Sequence, residues 1–167
     1  IRVIGEEDKT YYILRGTYDP LESPLIQYRG YKFRCGRITT IKKISNRNIT
    51  ADVSFDAPFK DRFVTARYLL SEFTSNRMPR TNFMAVYKYY PPPQKPIFVT
   101  LMFLLLSDYK TCALFGYQPS EECEIWYFNK PDTSSRQRIA ETECDRFKGM
   151  CANKTWKIYD DRRCPYK

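Results

Sequence analysis

The sequence predicts an all-β fold, an eight-stranded antiparallel up-and-down barrel with one external C-terminal α-helix. The chain has 14 tyrosines and 11 phenylalanines but only 6 glycines, a composition that favours strands. About eight strand-like segments follow one another at short intervals, with turn residues between them. Sequential antiparallel strands with short loops close most simply into a barrel, which leaves no exposed edges. A β-sandwich is the competing architecture.

The predicted strands are bounded by loops rich in Pro, Asn, Asp and Ser. Residues 51–56 alternate between apolar and polar, as expected of a strand that buries one face. Residues 97–106 are apolar apart from Thr100 but only half as long as a spanning helix needs, and they predict a buried strand rather than a membrane anchor. The predicted strands cover residues 10–15, 31–41, 49–55, 62–70, 82–90, 96–106, 111–117 and 122–128.

One segment near the end of the chain has a helical period. Ile139, Ala140, Cys144 and Phe147 share one stripe, after residues that can cap a helix. We therefore expect a single domain over residues 1–167. It would consist of a barrel at about 10–129, a helix at about 134–149 and a disulfide-anchored tail at 150–167.

The six cysteines contain no C-x-x-C pair, and five of them fall in the last 56 residues. This pattern predicts three disulfides and an oxidising, extracellular setting. Two glycosylation sequons, at Asn48 and Asn153, agree with that setting. The chain begins at Ile1 without a charged and apolar leader, which is what we expect of the mature form of an exported protein.

Several function classes are disfavoured. The chain has no histidine, no Gly-rich phosphate loop and no nucleophile elbow, so we expect no enzyme activity, no cofactor and no metal. Adjacent acids on turns are the one feature compatible with catalysis by two carboxylates. The net charge of +9 comes from lysines and arginines scattered among acids, which predicts a basic surface without nucleic-acid binding. We expect a monomer.

The cysteines indicate which way the last two strands face. Cys112 and Cys123 lie symmetrically about the turn near Gln118 and Pro119, so in a hairpin they share one face. If an external helix is stapled to this hairpin, that face points outward. Strand alternation then turns the intervening residues inward. They are Ala113, Phe115, Tyr117, Glu122, Glu124, Trp126 and Phe128, of which Glu122 lies close to the turn.

The pattern TCAL…CEIWYF…C…RFKGMC…YDDRRC resembles the tick salivary lipocalins, the histamine-binding protein family. The segment YYILRGTYDP…YKFRC near the start is similar to that family's first strand and the loop that leads to its first cysteine. The resemblance implies an eight-stranded barrel secreted into saliva. It also implies the disulfides Cys35–Cys164, Cys112–Cys144 and Cys123–Cys151.

The same resemblance implies that Glu124 directs a carboxylate into the cavity. Two alanines, Ala113 and Ala66, stand at positions that resemble those where the amine binders carry further acids. Tyr18 and Asp19 are similar to a tyrosine and an aspartate that follow the first strand in those proteins, although here the two residues are adjacent.

A cavity lined by aromatic rings with one polar anchor suits a mostly apolar ligand, so we rank a sterol, fatty acid or eicosanoid above histamine or serotonin. A ligand carboxylate would need a cation, for which Arg67 is a candidate, whereas a sterol hydroxyl could bond to Glu124. Sterol binding with immune modulation is a feature of the family's japanin branch. Two alternatives remain: aromatic residues that merely fill the core, and binding of a host immune protein or receptor through the loops at 18–29 and 90–95.

Overall fold

The computed structural model describes residues 3–19, 23–25, 34–57, 62–72, 82–131, 135–151, 156–157 and 164. Eight long strands and one short strand form a single antiparallel sheet. The strands are β1 Thr10–Gly16, β2 Arg34–Ser45, β3 Asn48–Ala57, β4 Arg62–Glu72, β5 Phe83–Lys88, β6 Ile97–Ser107, β7 Cys112–Gln118, β8 Cys123–Tyr127 and β9 Trp156–Lys157.

The sheet closes on itself because β1 pairs with two partners. Consecutive strands from β2 to β8 are hydrogen-bonded neighbours, β8 pairs with β1, and β1 also pairs with β2. This closure confirms the predicted eight-stranded up-and-down barrel and excludes the sandwich. Strand β9 adds to the same strand β1 beside the barrel, through Arg15 opposite Lys157 and Gly16 opposite Trp156.

Strand alternation divides the side chains between an inner and an outer layer. Each strand sends every second residue inward, where these residues pack into one buried cluster. β-branched and aromatic side chains supply most of this cluster, as their preference for a pleated, half-buried surface predicts. The cluster includes Tyr11, Ile13, Ile38, Val53, Phe55, Ala66, Tyr68, Met84, Val86, Met102, Ala113, Phe115, Tyr117, Trp126 and Phe128.

A second buried cluster lies outside the barrel, where the helix α1 Ser135–Asp145 packs. Three disulfides join Cys35 to Cys164, Cys112 to Cys144 and Cys123 to Cys151, the same pairs that the family resemblance implies. The strand cysteines therefore face outward, as the alternation argument requires.

The helix is shorter than predicted. It ends at Asp145, and a turn follows in which the Phe147 N–H donates to the Cys144 carbonyl. A short 3₁₀ helix, Lys148–Met150, then leads to Cys151. Within the described ranges, no helix is long and apolar enough to cross a membrane.

The prediction for the apolar run at 97–106 was partly wrong. Thr100 and Met102 of β6 are buried inside the barrel, but Ile97, Phe98 and Leu105 are 58%, 52% and 43% exposed. The run is apolar on both faces, and the helix covers a different part of the barrel. One face of β6 therefore meets solvent among the described residues.

Candidate ligand-binding site

Glu124 lies inside the barrel with none of its surface exposed. Its neighbours in β8, Cys123 and Ile125, belong to the outer cluster beneath the helix. Because residues two apart share a face of a strand, Glu124 and Trp126 both point inward. Among the described residues, Glu124 is the only buried side chain that carries a carboxylate, ammonium or guanidinium group.

Three donors surround the Glu124 carboxylate. The Tyr18 hydroxyl donates to Oε1. Oε2 accepts from the Tyr117 hydroxyl at 2.5 Å and from Trp126 Nε1 at 2.8 Å. The sheet geometry explains two of these donors. Tyr117 is the diagonal neighbour of Glu124 on β7, and Trp126 lies two residues further along β8.

The electrostatics of this group follow from its burial. Burial raises the pKa of Glu124 above its ordinary value, and the hydrogen bonds from Tyr117, Tyr18 and Trp126 oppose that rise. Burial, together with the adjacent carboxylate, raises the pKa values of Tyr18 and Tyr117 well above the ordinary tyrosine value. Both tyrosines therefore remain neutral donors.

The segment after β1 places Tyr18. The Thr17 N–H donates to the Cys123 carbonyl at 3.0 Å, and the Cys123 N–H donates to Thr17 Oγ1 at 2.9 Å. The Thr17 hydroxyl also donates to Glu122 at the start of β8. These bonds fasten residue 17 to the edge of the barrel, so the next side chain, Tyr18, enters the interior.

A short piece of chain lies over this end of the interior. Ser23 and Leu25 are buried, and the Tyr68 hydroxyl donates to the Leu25 carbonyl. A hydrogen bond from Ser23 also reaches Tyr18, whose pKa it lowers against the larger effect of burial. Residues 18–25, so far as the structure describes them, thus cap the side of Glu124 that faces away from Trp126.

Aromatic rings form the wall next to the carboxylate. The ring centroids of Phe115 and Trp126 lie 4.3 Å apart. Tyr11 lies 6.1 Å from Trp126 and makes an edge-on contact with Phe128 at 5.6 Å. The predicted lining residues Phe115, Tyr117, Trp126 and Phe128 therefore come together.

The two alanines noted in the comparison with the amine binders, Ala113 and Ala66, also face the interior. Ala113 and Ala66 are both buried, and both belong to the inner cluster. Ala113 lies opposite Trp126 on the neighbouring strand, and Ala66 lies opposite Val53. Neither position adds a charge to the site.

The structure places two of the predicted ligand-contact residues, Arg67 and Asp19, outside the barrel interior. Arg67 lies on the outer face of β4, where its guanidinium binds Asp52 at 2.7 and 2.9 Å. Its neighbours Ala66 and Tyr68 point inward, so alternation sends Arg67 to solvent. Asp19 is exposed, because Tyr18 takes the inward position at the end of this segment.

Of the two predicted glycosylation sites, one lies among the described residues and the other does not. Asn48 begins β3, opposite Ser45 and Ser71 on its neighbouring strands. Asn153 lies outside the described residues.

Sequence reasoning missed two aromatic residues of the interior, Tyr11 and Tyr68. Both could have been found from alternation. Tyr11 shares a face with Ile13 in β1, and Tyr68 shares one with Ala66 and Leu70 in β4.

The family model for the tick histamine binding protein matches residues 1–166. The chain belongs to the tick histamine-binding protein family. It is therefore a lipocalin-type ligand-binding protein and not an enzyme.

Solved structures similar to this family member share its fold. The crystal structure of an AM182 serotonin complex superposes with a TM-score of 0.57 at 14% identity, covering 98% of this chain and 90% of that one. The major allergen Per a 4 from cockroaches gives a TM-score of 0.60 at 12% identity, covering 99% of this chain and 90% of that one. No curated protein sequence matches this chain significantly.

Proposed function

We propose that the protein is a secreted lipocalin that binds one small, mostly apolar molecule inside its barrel and anchors it through a hydrogen bond to Glu124. The observation that carries the proposal is a single buried carboxylate held by three neutral donors within an aromatic cluster. Small-molecule sites are usually lined by apolar side chains with a few well-placed polar groups.

The hydrogen-bonding capacity of Glu124 limits the ligand's head group. A carboxylate has about four lone-pair sites, of which Oε2 uses two and Oε1 uses one. A ligand donor therefore fits best at Oε1, where Tyr18 is the present donor. A hydroxyl or an amine supplies such a donor, whereas an ether or ester does not.

Tyr18 would be displaced when a ligand enters. It lies on a connecting segment rather than on a barrel strand, and its hydroxyl occupies the place on Oε1 that a ligand hydroxyl would take. We infer that the ligand replaces Tyr18 on Glu124, so the carboxylate has a partner in both states.

Among apolar ligands, the charges favour a sterol over a free fatty acid or eicosanoid. An acidic ligand would bring a second carboxylate towards Glu124, which is unfavourable at low dielectric. Arg67, the cation suggested for such a ligand, lies outside. A sterol has one hydroxyl and no charge, so it meets a single anchor without needing a counter-ion.

A binding experiment tests this proposal. The protein secreted from eukaryotic cells would be extracted and examined by native mass spectrometry, followed by titration with cholesterol and with a free fatty acid. We expect a co-purifying or tightly bound neutral lipid with a hydroxyl. A barrel that takes up neither lipid but binds histamine or serotonin tightly by calorimetry would overturn the proposal.

A biogenic amine is the second candidate, and Glu124 itself favours it. A buried carboxylate between Trp126, Tyr117 and Tyr18 offers an ammonium both a counter-charge and aromatic faces. The family description and the serotonin complex of the structural neighbour also support this candidate. Against it, Ala113 and Ala66 provide no second acid.

Glu124→Gln distinguishes the two candidates. Glutamine keeps an accepting oxygen but loses the charge, so sterol affinity should change less than about threefold. Amine affinity should fall roughly tenfold to a hundredfold, the usual contribution of a hydrogen bond to a charged group. A large loss for the sterol would mean that the charge itself is recognised.

We further propose that the protein acts in saliva, where ligand capture would modulate or evade host inflammation, as in the japanin-like branch. The disulfides and the family support an extracellular setting. Treating host leukocytes with ligand-free and ligand-saturated protein tests this role. Equal effects of the two forms would contradict a role through ligand capture.

A further inference from the structure

The outer face of β5 and β6 is apolar and lies away from the helix. Its cross-strand pairs are Phe83 with Phe103, Ala85 with Leu101, and Tyr87 with Phe98. The rings of the first pair lie 5.4 Å apart and those of the last pair 5.7 Å apart. We call these six residues the β5–β6 face; exposed Ile97, which pairs with Lys88, lies next to Phe98 at the rim of the barrel.

This face is most exposed beside the loop that joins the two strands. Ile97 and Phe98 are more than half exposed, and residues 91–96 of the loop are exposed as well. The loop carries two tyrosines and four prolines, and leaves from the same end of the barrel as Tyr18. Monomeric soluble proteins rarely leave a large contiguous apolar patch without a binding partner.

The charges carried by β5, β6 and the loop between them have one sign. Residues 83–107 contain no aspartate or glutamate and two lysines, Lys88 and Lys95. Lys88 Nζ lies 5.5 Å from the centre of the Tyr90 ring, and Lys95 is exposed in the loop. Two copies of the chain meeting through this face would oppose like charges, so the charge pattern favours an anionic partner.

We propose that the β5–β6 face docks on an anionic lipid surface. Tyrosine rings suit the headgroup region because they combine an apolar body with a polar tip. Lysines beside them can pack their methylene chains on apolar groups and keep the ammonium in water near lipid phosphates. Ile97 and Phe98 then enter the outer acyl region, and the loop end of the barrel faces the membrane.

Vesicle sedimentation tests this proposal with the ligand-free protein, so its result does not depend on which ligand the barrel binds. We expect binding to vesicles of phosphatidylcholine with phosphatidylserine and much weaker binding to phosphatidylcholine alone. The double variant Ile97→Ser/Phe98→Ser should weaken binding roughly tenfold or more, because it removes apolar area that enters the lipid. Ile44→Ser is the matched control, since Ile44 is 51% exposed elsewhere on the barrel.

A second pair of variants separates local charge from net charge. Lys88→Gln/Lys95→Gln should weaken binding by about fivefold for each lysine. Lys42→Gln/Lys43→Gln removes the same charge from exposed positions on β2 and should have a smaller effect. Far-ultraviolet circular dichroism would verify the fold of each variant.

Three outcomes would overturn the proposal. The first is no binding of the unchanged protein to phosphatidylserine vesicles. The second is equal weakening by Ile44→Ser and by the Ile97/Phe98 variant. The third is a dimer in solution that the Ile97/Phe98 variant dissociates while vesicle binding is absent, which would assign the face to a second copy.

Discussion

Tyr18 and Glu124, which are 106 residues apart in the chain, are joined inside the barrel by a hydrogen bond from the tyrosine hydroxyl to Oε1. This bond connects the segment after β1 to the inner face of β8, the last strand of the barrel. It makes the carboxylate part of the barrel's own structure as well as its candidate ligand anchor.

Tyr18→Phe should expose this double role. Losing the hydroxyl removes one buried hydrogen bond to a charged group, so the free energy of unfolding should fall by about 1.5–3 kcal/mol. The same change leaves Oε1 open, so affinity for a hydroxyl-bearing ligand should rise. Denaturant unfolding and ligand titration measure the two effects.

Tyr117→Phe is the matched control, because its hydroxyl binds the other oxygen, Oε2. It should cost similar stability, but the ligand position on Oε1 remains occupied by Tyr18. Equal gains of affinity in both variants would argue against direct competition between Tyr18 and the ligand.

Glu124→Gln should change how stability depends on pH. Because burial raises the pKa of Glu124 in the folded protein, the folded state holds its proton above about 4.3, where an unfolded glutamate has lost it. Wild-type stability therefore falls as pH rises through this window, and the glutamine variant lacks that loss. The stability of the variant relative to the wild type should increase from pH 4 to pH 7.

Urea unfolding at several pH values, with disulfides intact, checks this expectation. Glu122→Gln serves as the control, since Glu122 is only half-buried beside Thr17. A constant difference between wild type and Glu124→Gln across the range would mean that the Glu124 pKa is the same in the folded and unfolded states.

Ala113→Asp should convert the site towards amine binding. The new carboxylate would lie diagonally across the strand pair from Glu124, and two buried acids without a cation should cost several kcal/mol of stability at neutral pH. Histamine should therefore raise the unfolding temperature of this variant. Ala113→Asn has nearly the same size without charge and should not respond; similar shifts in both variants would contradict charge pairing.

Gly116→Ala tests the packing of the outer face. A Cβ at Gly116 would lie 2.6 Å from the tip of the Phe103 ring, so the ring must move. Because Phe103 is half-buried, we expect a loss of about 1–2 kcal/mol rather than unfolding. Adding Phe103→Leu should recover most of the loss, as thermal unfolding of the single and double variants would show.

Much of the fold could be predicted because its signals are local. Strand alternation and turn residues placed the eight strands within a few residues, and the cysteines gave the orientation of β7 and β8. The same two-residue alternation gives the orientation of the Arg67 side chain. A residue between inward-facing Ala66 and Tyr68 must face outward.

Other features carry no local signal. The bond between Tyr18 and Glu124 depends on how Thr17 is fastened to Cys123, a contact between distant segments. The exposed face of β6 could not be inferred either, because a run that is apolar at every position but Thr100 lacks the period that tells one face from the other.

The pairing of β1 with both β2 and β8 has a consequence for biosynthesis. Tyr12 of β1 pairs with Tyr127 of β8. The barrel therefore cannot close until nearly all of its strands have left the ribosome. Until then, β1 and the growing sheet present unpaired edges of the kind that promote aggregation. The protein should therefore fold after translation and rely on chaperones more than a helical protein of equal length does.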